Sequence, residues 1–162
     1  MKVFGIIGWK DVGKTFYVCE IIKKLKAMGF KVASIKHAHH NFEIDHKNTD
    51  SYMHREAGSS EIIISSSNRW AKITELKNKN EKDLKYLLGQ LSKTDFVIVE
   101  GFKKENHPKI EVINSKNNNY LFKEIKNVKA LITNIKIDTD LPQFLSNEID
   151  LIVKFIIEEF NE

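Results

Sequence analysis

Apolar residues along the chain occur in two patterns, as continuous runs and at the spacing of one face of a helix. Val3 to Ile7 is a continuous apolar run, which is typical of a strand buried on both faces of a parallel sheet. From Lys14 onward apolar residues recur every three or four positions, which predicts an amphipathic helix that ends at Gly29. Further strands are predicted at 31–36, 96–99, 109–113 and 129–133, and helices at 84–91, behind an Asn80 cap, and at 149–160. This alternation predicts an α/β fold, a mostly parallel sheet covered by helices on both faces.

The polar stretch from His37 to Gly58 interrupts this pattern. It lacks sustained periodicity, and we expect a long loop with one helical turn there. Two β-rich runs at 61–65 and 70–76 follow it, and the polar residues between them predict a β-hairpin. No Gly/Ser-rich linker or fixed-period repeat divides the chain, so we expect a single domain, residues 1–162, with the hairpin as an insertion.

A phosphate-binding motif lies between the first strand and the first helix. Residues 8–15 match G-x-x-x-x-G-K-[ST] in full, and the strand before and the helix after are the context that the motif requires. In such a loop backbone N–H groups and the positive helix N-terminus surround phosphates, and Gly13 allows close backbone approach. We expect Lys14 to reach the β and γ phosphates and the Thr15 hydroxyl to hold Mg²⁺. The sequence therefore predicts a P-loop NTPase-like domain, with nucleotide-binding residues Gly8, Trp9, Lys10, Asp11, Val12, Gly13, Lys14, Thr15 and Phe16.

An acid follows the fifth predicted strand along the chain. Glu100 comes directly after the apolar run Phe96 to Val99, at the carboxyl end of a buried strand. A Walker-B-like carboxylate occupies this position in P-loop proteins and binds Mg²⁺ directly or through water. Asp95 precedes the strand, so we expect it at the surface. Glu100 is therefore the predicted second Mg²⁺ residue.

Imidazoles and carboxylates are dense between residues 37 and 54, a composition that can ligate zinc. There is no cysteine pair, however, and H-x-H-H is not the spacing of a structural zinc site. We favour a nucleotide-responsive loop that holds Mg²⁺-bound water or a substrate phosphate, and a structural metal site remains the alternative. His107, beside Pro108, is expected at the surface.

Composition limits the partners and the compartment. Of 162 residues, 41% are apolar and 30% charged, a balance that excludes a disordered tail and a disulfide-dense mini-protein. The net charge is +4, but only Arg55 and Arg69 are arginines, and dispersed lysines argue against nucleic acid as the main partner. One cysteine permits no intrachain disulfide, and no apolar run approaches the ~20 residues of a membrane span or forms a signal peptide. We therefore expect a cytoplasmic protein without a membrane segment.

Four stretches together resemble a known family, the MobB-type molybdopterin-guanine dinucleotide biosynthesis adapter proteins, which are small P-loop GTP-binding proteins. They are the phosphate loop, Lys36-His37-Ala38-His39-His40 with Phe42 and Asp45, residues 50–58, and residues 96–103 followed by 108–112. The His-rich stretch and the segment 50–58 are far more specific than the phosphate loop, which many unrelated enzymes share.

The resemblance implies an intertwined homodimer that binds GTP with Mg²⁺, hydrolyses it slowly and cooperates with a molybdenum cofactor guanylyltransferase that attaches GMP to molybdopterin. Carried over by position, the catalytic residues would be Lys14, Glu100 and Asp45, and the Mg²⁺ residues Thr15, Glu100 and Asp45. Guanine specificity comes from the resemblance, since Asn134 to Asp138 is not an N-K-x-D motif. Further candidates for the lining of the crevice are Lys36, His37, His39, Asp50 and Arg55.

Two alternatives stay open beside the GTP-dependent adapter. A P-loop small-molecule kinase predicts an acceptor pocket and a clamp on the transferring phosphoryl group, and two arginines in the whole chain count against it. A GTP-driven metal-handling module would use the His-rich loop, with His37 and His39 as ligands. As an enzyme, we expect at most a slow GTPase that acts mainly as an adapter.

Overall fold

The computed structural model describes residues 1–38, 42–76, 80–114 and 119–160. The chain forms two compact units, one made of Met1–His37 with Leu84–Glu162 and the other of the intervening Ala38–Asp83. In chain order the elements are β1 (Lys2–Ile7), α1 (Lys14–Ala27), β2 (Val32–Lys36), α2 (Asp50–Glu56), β3 (Glu61–Ser65), β4 (Trp70–Thr74), α3 (Leu84–Gly89), β5 (Phe96–Glu100), β6 (Lys109–Ile113), a 3-10 turn (Leu121–Lys123), β7 (Val128–Thr133), β8 (Gln143–Phe144) and α4 (Ile149–Glu158).

The first unit is built on a six-stranded sheet in the order β2-β5-β1-β6-β7-β8, in which every neighbouring pair is parallel. The chain moves from β1 to one side of the sheet for β2 and β5, and to the other side for β6 to β8. The carboxyl end of β1 is therefore a topological switch point, where ligands bind in open α/β sheets. The two-residue strand β8 has no counterpart in the sequence-based prediction.

Helices cover both faces of this sheet. Phe4 and Ile6 of β1 are buried in the cluster that α1 and α4 cover, whereas Val3 packs against the cluster of Leu84 from α3 on the other face. Because successive residues of β1 enter different clusters, the strand needs a continuous apolar run. The predicted fold class, a parallel sheet with helices on both faces, is confirmed.

The second unit contains α2 and the antiparallel hairpin of β3 and β4. The hairpin is confirmed where it is predicted, with Ser65 opposite Trp70, although β4 ends at Thr74. A seven-residue helix, α2, takes the place of the expected single helical turn. The predicted Asn80 cap is wrong, because α3 begins at Leu84. In the ranges that the structure describes, the helices are too short or too polar to cross a membrane.

Candidate nucleotide-binding site

The phosphate loop leaves β1 at Gly8 and enters α1 at Lys14. Gly8 has a φ of 152°, and a Cβ at this position would lie 2.7 Å from the carbonyl oxygen of Val112 on β6, so only glycine fits. Gly13 is the N-cap of α1, and no side chain of the described residues caps the first turn. The N–H of Phe16 donates to the carbonyl oxygen of Gly13 at 3.0 Å. The N–H groups of Lys14 and Thr15 have no preceding helical turn to supply an acceptor, and together with the helix dipole they favour an anion.

Lys14 is folded back onto its own loop. Its Nζ donates to the carbonyl oxygen of Trp9 at 2.6 Å. Burial lowers the pKa of Lys14 and the charge of Lys103 lowers it further, while Glu100 and Asp11 act in the opposite direction. A phosphate in the loop would give the ammonium an anionic acceptor in place of a neutral carbonyl, which is the stronger hydrogen bond.

Glu100 is the centre of a group of oxygen and nitrogen donors at the carboxyl ends of the strands. It lies opposite Ile6 of β1 and Lys36 of β2 in the sheet register. The hydroxyl of Thr15 donates to both carboxylate oxygens, at 3.0 and 3.1 Å, and Lys36 Nζ lies 3.3 Å from Oε1. A hydroxyl and a carboxylate are hard oxygen ligands that fit Mg²⁺.

The turn after Glu100 packs closely on His37. Gly101 has a φ of 94°, and a Cβ there would lie 2.8 Å from Cβ of His37. The His37 ring stacks on Phe102 with a centroid distance of 4.5 Å, and its backbone N–H donates to the carbonyl oxygen of Glu100 at 2.8 Å. His37, predicted to line the crevice, is therefore placed beside Glu100 as a packing partner of this turn.

The other predicted residues of the crevice and Asp45 lie in the second unit or outside the described residues. Arg55 Nε donates to Asp45 Oδ2 at 3.3 Å, and the guanidinium lies 4.9 Å from the centre of the Tyr52 ring. Asp50 is the first residue of α2. His39 lies outside the described residues. A role for Asp45 in binding Mg²⁺ stays a prediction, and in the second unit its carboxylate pairs with Arg55.

Metal ligation by the His-rich loop receives no support from the described side chains. Among them, no group of three or more His, Cys, Asp and Glu is arranged to hold a metal ion. His39 and His40 are outside this set.

Two contacts of the phosphate loop were not predicted from the sequence. The indole N–H of Trp9 donates to the carbonyl oxygen of Asn119 at 2.6 Å. Lys103 Nζ lies 4.7 Å from the centre of the Trp9 ring. The sequence signals for Lys103 are its position three residues after Glu100 and its place at the end of the stretch 96–103 that resembles the family.

Comparison with known proteins connects this geometry to a family. Residues 3–134 match a family model described as MobB, molybdopterin guanine dinucleotide synthesis protein B. A Haemophilus influenzae protein named molybdopterin-guanine dinucleotide biosynthesis adapter protein is 36% identical over 96% of this chain and 88% of its own length. The Escherichia coli protein of the same name is 32% identical over 98% of this chain and 93% of its own.

Solved structures agree with the sequence comparisons. A crystal structure of molybdopterin-guanine biosynthesis protein B has a TM-score of 0.79 at 24% identity and covers 98% of this chain and 99% of that chain. The structure of Bacillus subtilis MobB has a TM-score of 0.78 at 22% identity, with 98% of each chain covered. These two likenesses establish the fold. The family model matches most of the chain, and the two curated relatives are 36% and 32% identical over nearly all of it. The chain therefore belongs to the MobB family.

Proposed function

We propose that this protein is a GTP-dependent adapter in molybdopterin guanine dinucleotide biosynthesis. It binds GTP with Mg²⁺ at the phosphate loop, hydrolyses it slowly and assists a molybdenum cofactor guanylyltransferase, with molybdopterin as the acceptor of GMP. The observation that carries the proposal is the meeting of Lys14, Thr15 and Glu100 at the switch point of the sheet. The pathway follows from family membership and from the names of the relatives. The preference for guanine rests on the family.

Each residue of the loop has a defined task in this proposal. Lys14 leaves the Trp9 carbonyl and neutralises the β and γ phosphates. Thr15 and Glu100 would hold Mg²⁺, which would offset the negative charge of the phosphates. Both arginines, Arg55 and Arg69, lie in the second unit. The unit with the phosphate loop thus has no arginine of its own for the transition state, which supports slow hydrolysis.

The hairpin supports a homodimer. Ile63 and Trp70 lie on the same face, because Trp70 is opposite Ser65 in the register, and they are 67% and 68% exposed. Ile62, on the other face, is buried. Ile63 is opposite Lys72, so it lies diagonal to Trp70 on this face. Two large apolar side chains at diagonal positions on an exposed sheet face are typical of an interface, and we propose a second copy of this chain as the occupant.

Calorimetric titration of the full chain with GTP, ATP and GDP, with and without Mg²⁺, tests the nucleotide site. We expect Mg²⁺-dependent binding of GTP and a loss of affinity of at least about a hundredfold in Lys14→Ala. Lys26→Ala removes an exposed lysine from the last turn of the same helix and should bind as the wild type does. Unchanged binding by Lys14→Ala would refute the site, and a preference for ATP would refute the guanine assignment.

Two further measurements test the adapter and the dimer. A guanylyltransferase that forms the dinucleotide from GTP and molybdopterin should work faster with the wild type than with Lys14→Ala.

The molar mass from light scattering should fall from dimer to monomer in the double variant Ile63→Lys, Trp70→Lys. Leu151→Lys, at an exposed apolar position of α4, is the matched control and should keep the mass of the wild type.

A further inference from the structure

Lys103 reaches the phosphate loop from the turn after Glu100, and the nucleotide chemistry above gives it no task. We propose that Lys103 is a second phosphate-binding lysine, which exchanges the ring of Trp9 for the terminal phosphate of a bound nucleoside triphosphate. This inference rests on the proposed nucleotide site and adds to it a residue that tells a triphosphate from a diphosphate.

The turn that carries Lys103 has an uncommon backbone. Gly101 and Phe102 are consecutive residues with positive φ, 94° and 48°. The left-handed region is disfavoured for a bulky residue such as Phe102, and a residue stays there only where its surroundings hold it. Phe102 is held by burial and by the stack on His37. The turn is therefore fixed by packing, and it directs the chain after Glu100 back to the phosphate loop.

The charges around Lys103 favour an anion. Lys103 and Lys14 both contact Trp9, one at the ring and one at the carbonyl oxygen. Their mutual repulsion is one of the causes that lower the pKa of Lys14. Among the described residues, no Asp or Glu lies within ion-pair distance of Lys103. The charge of Lys103 does lower the pKa of Glu111, but both carboxylate oxygens of Glu111 are already bound by the N–H groups of Leu121 and Phe122. A phosphate dianion between the two ammonium groups would convert this repulsion into attraction.

The contact of the Lys103 ammonium with the Trp9 ring is weak enough to be exchanged for a contact with phosphate. The indole N–H of Trp9 is bound by the carbonyl oxygen of Asn119, which fixes the ring, and the residue is 39% exposed. A lysine over a partly exposed aromatic ring gains less than a lysine with a charge-assisted hydrogen bond to phosphate. Binding of a phosphate within reach therefore moves Lys103 off the ring.

The position of Lys103 selects the terminal phosphate. Mg²⁺ bridges the β and γ phosphates in P-loop proteins, and Thr15 and Glu100 are the residues here that suit it. Lys103 follows Glu100 by three residues and lies against the loop that carries Lys14. Lys14 and the loop amides serve the β and γ phosphates, and Lys103, which follows Glu100 in the chain, adds a second ammonium at the γ phosphate.

Titration of the full chain with Mg²⁺-GTP and with Mg²⁺-GDP tests this inference. In Lys103→Gln we expect affinity for GTP to fall about tenfold and affinity for GDP to change less than about twofold. Lys103→Arg keeps the charge and should recover most of the GTP affinity. Lys104→Gln removes the exposed neighbouring lysine and should match the wild type for both nucleotides.

Tryptophan fluorescence provides a second, independent measurement. Trp70→Phe leaves Trp9 as the only tryptophan. GTP should change its emission more than GDP does, and Lys103→Gln should remove the difference. Equal GTP affinity in Lys103→Gln and Lys104→Gln, or equal losses for GTP and GDP, would overturn the inference while nucleotide binding itself stands. If the wild type binds neither nucleotide, the proposed function fails as well.

Discussion

Two buried glutamates lie on the strands that flank β1, and they have different partners. Glu100 of β5 is opposite Ile6, and Glu111 of β6 is opposite Ile7. They are 8% and 0% exposed. Glu100 accepts hydrogen bonds from the Thr15 hydroxyl and lies beside the Lys36 ammonium, both of them side-chain groups. Side chains can rotate away when a metal ion arrives, so the carboxylate of Glu100 is available for exchange.

Glu111 is bound by the backbone instead. Its two carboxylate oxygens accept from the N–H groups of Leu121 and Phe122, at 2.9 and 2.8 Å. Burial raises the pKa of Glu111, and these two hydrogen bonds counteract the shift. Backbone N–H groups cannot leave without the rearrangement of the 3-10 turn. Burial of an acid therefore does not identify a metal site in this protein, whereas the kind of partner does.

The largest expected effect comes from breaking the backbone-bound acid. Glu111→Ala leaves two N–H groups without acceptors in a buried place and should lower the free energy of unfolding by about 4 kcal/mol. Glu100→Ala should lower it by less than about 1 kcal/mol, because Thr15 and Lys36 can turn to water. Urea unfolding followed by circular dichroism measures both. Similar losses in the two variants would show that Glu100 is structural too.

The sequence alone predicts Glu100 as a site residue and the strands that surround it. A continuous apolar strand, an acid at its end and a complete phosphate-loop motif are local signals, and the register then brought Thr15, Lys36 and Glu100 together. The predicted strands β1, β2 and β5 lie within one residue of their observed bounds. Local periodicity decides such elements because strands that are buried on both faces must be apolar throughout.

The burial of Glu111 and of the rest of β6 could not be predicted from the local sequence pattern. In β6 the charged Lys109 and Glu111 alternate with Ile110 and Val112, a pattern that is typical of a strand with one solvent-exposed face. All of β6 is nevertheless buried, because residues outside the strand, on both sides of it in the sequence, bind its polar side chains. Lys109 Nζ, for example, donates to the carbonyl oxygens of Glu105, His107 and Lys126.

His107 shows the same limit. The sequence predicts His107 at the surface beside Pro108, but in the structure it is buried, with 7% exposure, so this prediction is wrong. Its ring lies against Gly5 of β1, where the absence of a side chain leaves room for it. The sequence signal for this contact is a glycine inside an apolar strand, which indicates a close approach without naming the residue that approaches.

The next largest expected effect is a loss of folding stability at acid pH caused by His107. Burial and the nearby charge of Lys109 lower the pKa of His107 to about 4, and neither ring nitrogen has a partner among the described residues. The unfolded chain takes up this proton near pH 6.5, so stability is complete above that pH and falls by about 3 kcal/mol as the pH drops from 6.5 to 4.

Urea unfolding at intervals from pH 7 to pH 4 checks the role of His107. His107→Leu has a similar volume and no titrating group, so its stability should depend less on pH across this range. His46→Gln, at an exposed histidine of the second unit, should follow the wild-type curve. Parallel curves for the wild type and His107→Leu would show that His107 does not cause the acid sensitivity.

Substitution of Glu100, the acid with exchangeable partners, should reduce the effect of Mg²⁺ on GTP binding. Glu100→Gln keeps the size of the side chain and removes its charge. We expect the gain in GTP affinity on adding Mg²⁺ to fall about tenfold, because one hard anionic ligand is lost. Titrations with and without Mg²⁺ measure that gain. Glu111→Gln, in whatever fraction is folded, should keep the gain of the wild type, and a loss there would place both acids in the metal site.

The smallest expected effect belongs to Lys36, whose side chain is 62% exposed although it lies 3.3 Å from Glu100. An ion pair this exposed adds little to stability, so Lys36→Gln should change the free energy of unfolding by less than about 0.5 kcal/mol. The positive charge of Lys36 has two opposing effects on the affinity for Mg²⁺-GTP, since it attracts phosphate and repels Mg²⁺. We expect affinity for Mg²⁺-GTP to fall by about threefold at low salt and less at high salt, because screening weakens both terms. Calorimetry at two salt concentrations measures this dependence. A loss of stability as large as that of Glu111→Ala would mean that Glu100 is held as firmly as Glu111, and the distinction between exchangeable and fixed partners would fail.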